Sequence, residues 1–79
     1  MSKIEQLTRL IEGSHVMGAD SLTAYYDARR ARNGLLKREP IARTMEIQRA
    51  LKNYRVGVFH TQDNRTRILN YDTKAEVIL

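Results

Sequence analysis

The sequence predicts an α+β domain in which three short helices precede a C-terminal β-hairpin. Apolar residues recur at helical spacing in three stretches before residue 54, and a two-residue alternation replaces that spacing over 54–61. Turn-forming residues separate these stretches. At 79 residues and 42% apolar content, the chain predicts a single domain over 1–79 with one thin core.

The first helix is expected over residues 3–12. Ser2 stands where its hydroxyl can accept from a free N–H of the first turn, and Glu5 completes the spacing of a capping box. Gly13 is a natural stop. The apolar positions follow at helical spacing: Ile4, Leu7, Leu10 and Ile11.

The second helix is expected to begin at Asp20 or Ser21, either of which can cap it, and to end in a left-handed stop at Asn33–Gly34. Its apolar face carries Leu22, Ala24, Tyr25, Ala28 and Ala31, where the alanines let another helix approach closely. The other face carries Thr23, Asp27 and Arg30. Because Tyr25 and Tyr26 are adjacent, a helix directs only one of them to the core, and the other is expected to be half-exposed.

A third helix is expected from Pro40, which fits a first helical turn, to about Asn53. The preceding connection is expected to anchor itself through Leu35 and Leu36. At 100° per residue, one arc of this helix holds the predicted core side, namely Ile41, Thr44, Met45, Ile47, Gln48 and Leu51. The opposite side holds Arg43, Glu46, Arg49 and Ala50.

The stretch from residue 54 onward predicts a β-hairpin. Residues of alternate character run along its first strand, with Tyr54, Val56, Val58 and His60 on one face and Arg55, Gly57, Phe59 and Thr61 on the other. Asp63–Asn64 is the best turn pair because both residue types tolerate positive φ. The return strand is expected over 66–71, and residues 75–79 follow as a short apolar tail.

Catalytic and metal-binding motifs are not evident. The only histidines, His15 and His60, have 44 residues between them, so no local spacing supports a shared site. The serines lack a neighbouring base, and the four glycines form no phosphate-cradling loop. The chain is therefore expected not to be an enzyme and to need neither a metal nor another cofactor.

The composition also bears on compartment. The absence of cysteine excludes disulfides and thiolate metal sites, and with them most small secreted scaffolds. No apolar run approaches the roughly 20 residues that a membrane-spanning helix needs, and the N-terminal residues lack the apolar core of a signal peptide. A cytoplasmic protein without membrane contact is the resulting expectation.

The charge balance points to an anionic partner. Ten arginines and four lysines against nine carboxylates give a net charge of +5 and a pI near 10.0. Arginine's planar fork suits phosphate and guanine edges better than an ammonium group does. Three of the arginines form the cluster Arg29-Arg30-x-Arg32, for which phosphate contact and pairing with Asp27 and solvent are both open.

The order of elements resembles the layout of a winged helix-turn-helix module. In such modules the third helix enters the major groove of DNA and the hairpin wing touches the backbone. The resemblance implies that Arg43, Glu46 and Arg49 face base edges, with Lys37 and Arg38 at the helix entrance. It also implies phosphate contacts from Arg29 and Arg30 of the second helix and from Arg55, Arg65 and Arg67 of the wing. The six-residue connection at 34–39 is longer than that of a tight helix-turn-helix, and no additional strand between or before those helices is evident.

The expected function is therefore that of a small, sequence-specific transcriptional regulator that binds double-stranded DNA as a homodimer. The alternative is a protein-binding inhibitor or adaptor that clamps a larger protein through its hairpin and C-terminal strand. In that case Arg55, Phe59 and Tyr71 would anchor the interface, and the last strand would pair with a partner's strand or a second copy. An RNA-associated or structural component of a particle is a third class.

Overall fold

The computed structural model describes residues 2–14 and 20–79, and it confirms the α+β class. The elements follow in the order α1 (Lys3–Ile11), α2 (Ser21–Asn33), a 3₁₀ turn (Gly34–Leu36), α3 (Pro40–Ala50), β1 (Val56–His60), β2 (Thr66–Asn70) and β3 (Glu76–Ile78). Helices α1 and α3 pack on the inner face of the sheet, and α2 packs on both of these helices. His15, one of the two histidines, lies outside the described residues.

Helix α1 begins as its capping signal predicts. The Glu5 N–H donates to the Ser2 hydroxyl at 3.1 Å, which satisfies one of the free donors of the first turn. After the helix, Gly13 adopts a φ of 82°, a conformation that glycine reaches without steric cost. The apolar face of α1 supplies Leu7, Leu10 and Ile11 to the core.

Helix α2 also begins as predicted, because the Asp20 carboxylate accepts the Thr23 N–H at 2.8 Å. That backbone hydrogen bond lowers the pKa of Asp20. The alanine stripe of Ala24, Ala28 and Ala31 is fully buried, as expected. The prediction that larger side chains widen this apolar face was wrong. Leu22 is 61% exposed, and Tyr25 and Tyr26 are both exposed. Helix α2 packs on α1 and α3, and its buried residues are the three alanines.

The junction between α2 and α3 differs from the predicted left-handed stop. Gly34 has a φ of −59°, and the chain continues into the 3₁₀ turn instead of reversing. Glycine suits this position because a Cβ would stand 3.0 Å from Cγ1 of Ile47, so the turn presses directly on α3. Leu35 packs against the core, but Leu36 is 84% exposed, and its prediction as an anchor was wrong.

Helix α3 begins at Pro40 as predicted and ends at Ala50, before the expected Asn53. Its buried side is centred on Ile47, with Thr44 and Leu51 beside it. The predicted core arc does not coincide with this buried side. Three of its members are exposed: Ile41 by 63%, Met45 by 50%, and Gln48. Ala50, predicted to face away, packs against the core. The cause is that α3 contacts α2 and the 3₁₀ turn as well as strands β1 and β2, so its core side is shared between helical partners and the sheet.

The sheet is antiparallel with the order β1-β2-β3. The hairpin is confirmed, with Val58 opposite Ile68, and its turn places Asn64 at a φ of 63°. The expected apolar tail is a third strand, in which Val77 pairs with Ile68. Within the described residues, β3 follows the hairpin and no strand precedes β1. The inner face buries Thr66, Ile68, Asn70 and Val77.

Asn70 connects three parts of the fold through one buried side chain. Its Nδ2 donates to the carbonyl oxygen of Leu10 at 2.6 Å, which ties β2 to α1. Its Oδ1 accepts the backbone N–H groups of Asp72 and Thr73 at 2.8 and 3.0 Å, which orders the turn into β3. Both the donor and the acceptor atom of the Asn70 amide are therefore hydrogen-bonded inside the domain.

Tyr54 joins the start of the hairpin to α2. Its hydroxyl donates to Oδ2 of Asp27 at 2.6 Å, so the prediction that Asp27 points away from the core was wrong. Burial, reinforced by this hydrogen bond and the nearby carboxylate charge, raises the pKa of Tyr54 above its ordinary 10.0. The protonated Tyr54 hydroxyl therefore stabilises the fold at pH values below its ordinary pKa of about 10. This contribution to the free energy of unfolding is lost as the pH rises above that value.

Candidate nucleic-acid interface

The positive charge of the chain is concentrated in residues 27–52, here called the basic segment. It spans the C-terminal half of α2, the 3₁₀ turn and α3. It holds eight arginines and lysines against three carboxylates, a net charge of +5 that equals that of the whole chain. The remaining residues therefore balance to zero. A phosphate backbone would meet its strongest attraction at this helix pair.

The arginine cluster at the end of α2 is exposed along one turn. Arg30 lies 3.5 Å from Oδ1 of Asp27, which is the pairing expected from its i,i+3 spacing. Arg29 lies over the ring of Tyr25, with 5.9 Å between its Cζ and the ring centroid. Within the described part of the chain Arg32 forms no ion pair. Two of the three guanidinium groups, those of Arg29 and Arg32, thus have no carboxylate partner among residues 2–14 and 20–79.

Arg43, predicted to face base edges, instead holds the entrance of α3. Its Nε donates to the carbonyl oxygen of Lys37 at 2.6 Å, and its Nη2 donates to that of Arg38 at 3.1 Å. These two bonds fix the backbone that carries both cations to the first turn of α3. The side chains of Lys37 and Arg38 are exposed and form no ion pair with any residue that the structure describes.

The other predicted base-facing residues of α3 form a pair of their own. Nη1 of Arg49 lies 3.0 Å from Oε2 of Glu46, where Arg49 is exposed and Glu46 is half-buried. Thr44, which belongs to the predicted core arc, is buried, and its hydroxyl lies 3.0 Å from that of Thr66. The outward side of α3 is therefore formed by Ile41, Met45, Gln48 and Arg49, and the exposed Lys52 follows the end of the helix.

Each arginine predicted to lie on the wing is paired with a carboxylate. The N–O distances are 3.2 Å for Arg55 with Asp72, 3.8 Å for Arg65 with Asp63 and 2.6 Å for Arg67 with Glu76. Exposed pairs of this kind contribute little to stability, but they neutralise charge locally. The hairpin consequently offers a weaker attraction to phosphate than its arginine content predicts.

One contact fixes the hairpin beside α3. Nε2 of Gln48 donates to the carbonyl oxygen of Val58 at 3.0 Å. In the antiparallel register the backbone groups of Val58 point away from β2, toward the free edge of β1. Gln48 therefore covers an edge carbonyl and joins helix and strand.

No helix of the described residues packs on the outer face of the sheet, and this face presents two aromatic rings. Phe59 and Tyr71 are both exposed, and both lean over Gly57. A Cβ at Gly57 would clash with the Tyr71 hydroxyl oxygen and the Phe59 ring, so glycine leaves room for both side chains. The anchors expected for a protein interface thus share this face with Arg55.

A shallow groove of about 250 Å³ lies at the other edge of the sheet, between α1 and β3. Its walls are formed by Gln6, Arg9, Leu10, Ala75, Glu76 and Val77. In the described ranges, 2–14 and 20–79, no cluster of three or more His, Asp or Glu side chains has a metal-binding arrangement. No helix in these ranges has the length and apolar content needed to cross a bilayer.

Sequence reasoning missed part of the outward surface of the basic segment. Ile41 and Met45 were assigned to the core because their spacing fits an apolar arc, and Lys52 was not considered. The signal for Lys52 was its positive charge close to the C-terminal end of the predicted helix, where cations are favoured. Comparison of the chain with protein-family models, with curated proteins and with solved structures finds no match.

Proposed function

We propose that the protein binds double-stranded DNA through the basic segment, with α3 in the major groove and the end of α2 against the backbone. The observation that carries this proposal is the concentration of the entire net charge on two helices and their connecting turn. A major groove about 12 Å wide admits one α-helix, and phosphates on either side would meet cations that flank it.

The cations are arranged so that they flank α3 at both of its ends. Lys37 and Arg38 precede the helix, on the backbone that Arg43 holds, and Lys52 follows its last turn. Arg29 and Arg32 extend the positive surface along α2. None of these five forms an ion pair with a described residue, so phosphates would not have to displace a carboxylate. Arg43 then acts as a positioning residue for the backbone contacts.

The wider proposal is a sequence-specific regulator that acts in the cytoplasm as a homodimer. The longest dimension of one copy is 31 Å, close to the 34–36 Å that separates half-sites one helical turn apart. Two copies that lie side by side along this dimension, related by a two-fold axis, would present their α3 helices to successive major grooves. Arg49 would contact bases after exchanging Glu46 for a guanine edge.

The test is the salt dependence of binding to a labelled, random-sequence 30-bp duplex, followed by fluorescence anisotropy. Five phosphate contacts predict that the affinity falls roughly 500-fold between 50 and 200 mM salt. The double variant Lys37→Gln/Arg38→Gln should make the slope of log K against log[salt] less steep by about 1.8, because two phosphate contacts are lost.

A matched control removes one ion pair of the hairpin without changing the net charge. The double variant Arg67→Gln/Glu76→Gln should leave both affinity and salt slope as they are. Absence of duplex binding at 50 mM salt would refute the proposal. Equal or tighter binding to double-stranded RNA would also refute it, because the narrow major groove of RNA does not admit a helix.

A protein-binding function is the second candidate, and the aromatic outer face of the sheet favours it. Phe59 and Tyr71 are of the residue types that dominate interfaces, and nothing in the described chain covers them. We expect the double variant Phe59→Ala/Tyr71→Ala to lose a stoichiometric partner from nuclease-treated lysate while it keeps duplex binding. If wild type retains no partner after nuclease treatment, this candidate fails.

A further inference from the structure

The outward side of α3 combines cations with apolar side chains, and phosphate contact accounts only for the cations. Ile41 and Met45 lie four residues apart and therefore stand on the same side of the helix. They are 63% and 50% exposed, respectively. Lys37 and Arg38 precede α3 and Lys52 follows its last turn, so the apolar pair lies between exposed cations at the two ends of the helix.

The cations around Ile41 and Met45 indicate what kind of partner this apolar pair fits. An apolar surface bordered by cations suits a partner that presents apolar groups between two rows of negative charge. The major groove of DNA has that arrangement, and its one apolar feature is the C5-methyl group of thymine. The other groups that base pairs present there are hydrogen-bond donors and acceptors.

We infer that Ile41 and Met45 read the C5-methyl groups of pyrimidines, so that the preferred ligand is thymine-containing duplex DNA. This inference rests on the proposed function. The Cβ atoms of residues i and i+4 are about 5–6 Å apart, and successive bases of one strand are about 3.4 Å apart along the axis. The two side chains therefore reach methyl groups one or two base steps apart.

Neighbouring residues leave the apolar pair as the principal base contacts. Gln48, on the same side of α3, is bound to the carbonyl oxygen of Val58. Arg43 is bound to two carbonyl oxygens at the helix entrance. Of the outward side chains, Ile41, Met45 and Arg49 remain to face the bases. The unbranched side chain of Met45 adapts readily to small shifts of a methyl group.

The test compares 24-bp duplexes of alternating A–T and alternating A–U sequence, in which only the methyl group differs. Burial of one methyl group predicts about fourfold tighter binding, so wild type should favour the A–T duplex by about fourfold to 15-fold at 50 mM salt. A G–C duplex with 5-methylcytosine should likewise bind more tightly than its unmethylated form, since the methyl group occupies the same position.

Variants assign the preference to the apolar pair. Ile41→Ala and Met45→Ala should each bring the ratio of A–T to A–U affinity toward one. Leu22→Ala is the matched control, because Leu22 is 61% exposed but lies on α2. Its ratio should equal that of wild type.

The outcomes separate this inference from the proposed function. Measurable but equal binding of the A–T and A–U duplexes overturns the methyl reading and leaves the DNA proposal in place. No binding to either duplex overturns both. If sedimentation shows that Ile41→Ala and Met45→Ala dissociate a dimer while the A–T to A–U ratio stays that of wild type, the pair belongs to a contact between copies, and the methyl reading is overturned.

Discussion

Replacement of Ile47 by alanine is expected to lower the free energy of unfolding by about 2–5 kcal/mol. Ile47 is fully buried on α3, and its Cγ1 lies against Gly34 of the 3₁₀ turn. The truncation removes buried apolar surface and leaves a cavity at the point where turn and helix meet. Urea denaturation followed by circular dichroism measures the loss directly.

The same substitution at Ile41 is the control for this effect. Ile41 belongs to the same helix but is 63% exposed, so Ile41→Ala should change the free energy of unfolding by less than about 0.5 kcal/mol. Alanine's higher helix propensity offsets part of any lost contact. Comparable losses at both positions would contradict the orientation of α3, because the two isoleucines would then be equally buried.

Replacement of Asn70 by alanine is expected to cost about 3 kcal/mol of unfolding free energy. The variant loses three hydrogen bonds at once and leaves the Leu10 carbonyl and two turn N–H groups without their partner. A buried polar group left unsatisfied costs about 1–3 kcal/mol. Amide hydrogen exchange should in addition show faster opening of β3, since Asn70 orders the turn that leads into it.

Asn53→Ala is the matched control for that loss. Asn53 is exposed in the turn that follows α3, so its replacement should stay within about 0.5 kcal/mol of wild type. If Asn70→Ala is as stable as Asn53→Ala, the hydrogen bonds of Asn70 make no net contribution to stability.

Local signals were sufficient for the elements and their order. The hydroxyl of Ser2, the carboxylate of Asp20 and the ring of Pro40 act on the backbone within one helical turn, so sequence spacing alone locates the helix starts. Asn64 marks the hairpin turn for the same reason, because its positive φ is a property of that residue and its immediate neighbours.

The side of α3 that is buried could not be predicted from such local signals. An apolar arc identifies the buried side only when one partner covers the helix, and α3 has partners on two sides. The small side chain of Ala50 therefore packs inward, while the larger Ile41 stays exposed. Strand β3 was missed for a related reason: its pairing depends on the neighbouring β2 and on the turn that Asn70 orders.

The candidate site was predictable in its composition but not in its geometry. The cations at positions 29–38 are visible in the sequence as a cluster, and the structure leaves most of them exposed. Which arginines are neutralised depends on contacts across elements. Arg67 meets Glu76 because β2 and β3 run side by side, and Arg43 turns to carbonyls that only the folded connection presents.

The separation of charge in this fold also bears on how fast a complex would form. With +5 on the basic segment and no net charge on the other residues, the molecule has a permanent electric dipole. A polyanion would rotate the approaching protein before contact, so that encounters begin with α2 and α3 foremost. Such steering raises association rates by about 10- to 1,000-fold and weakens steeply as salt is added.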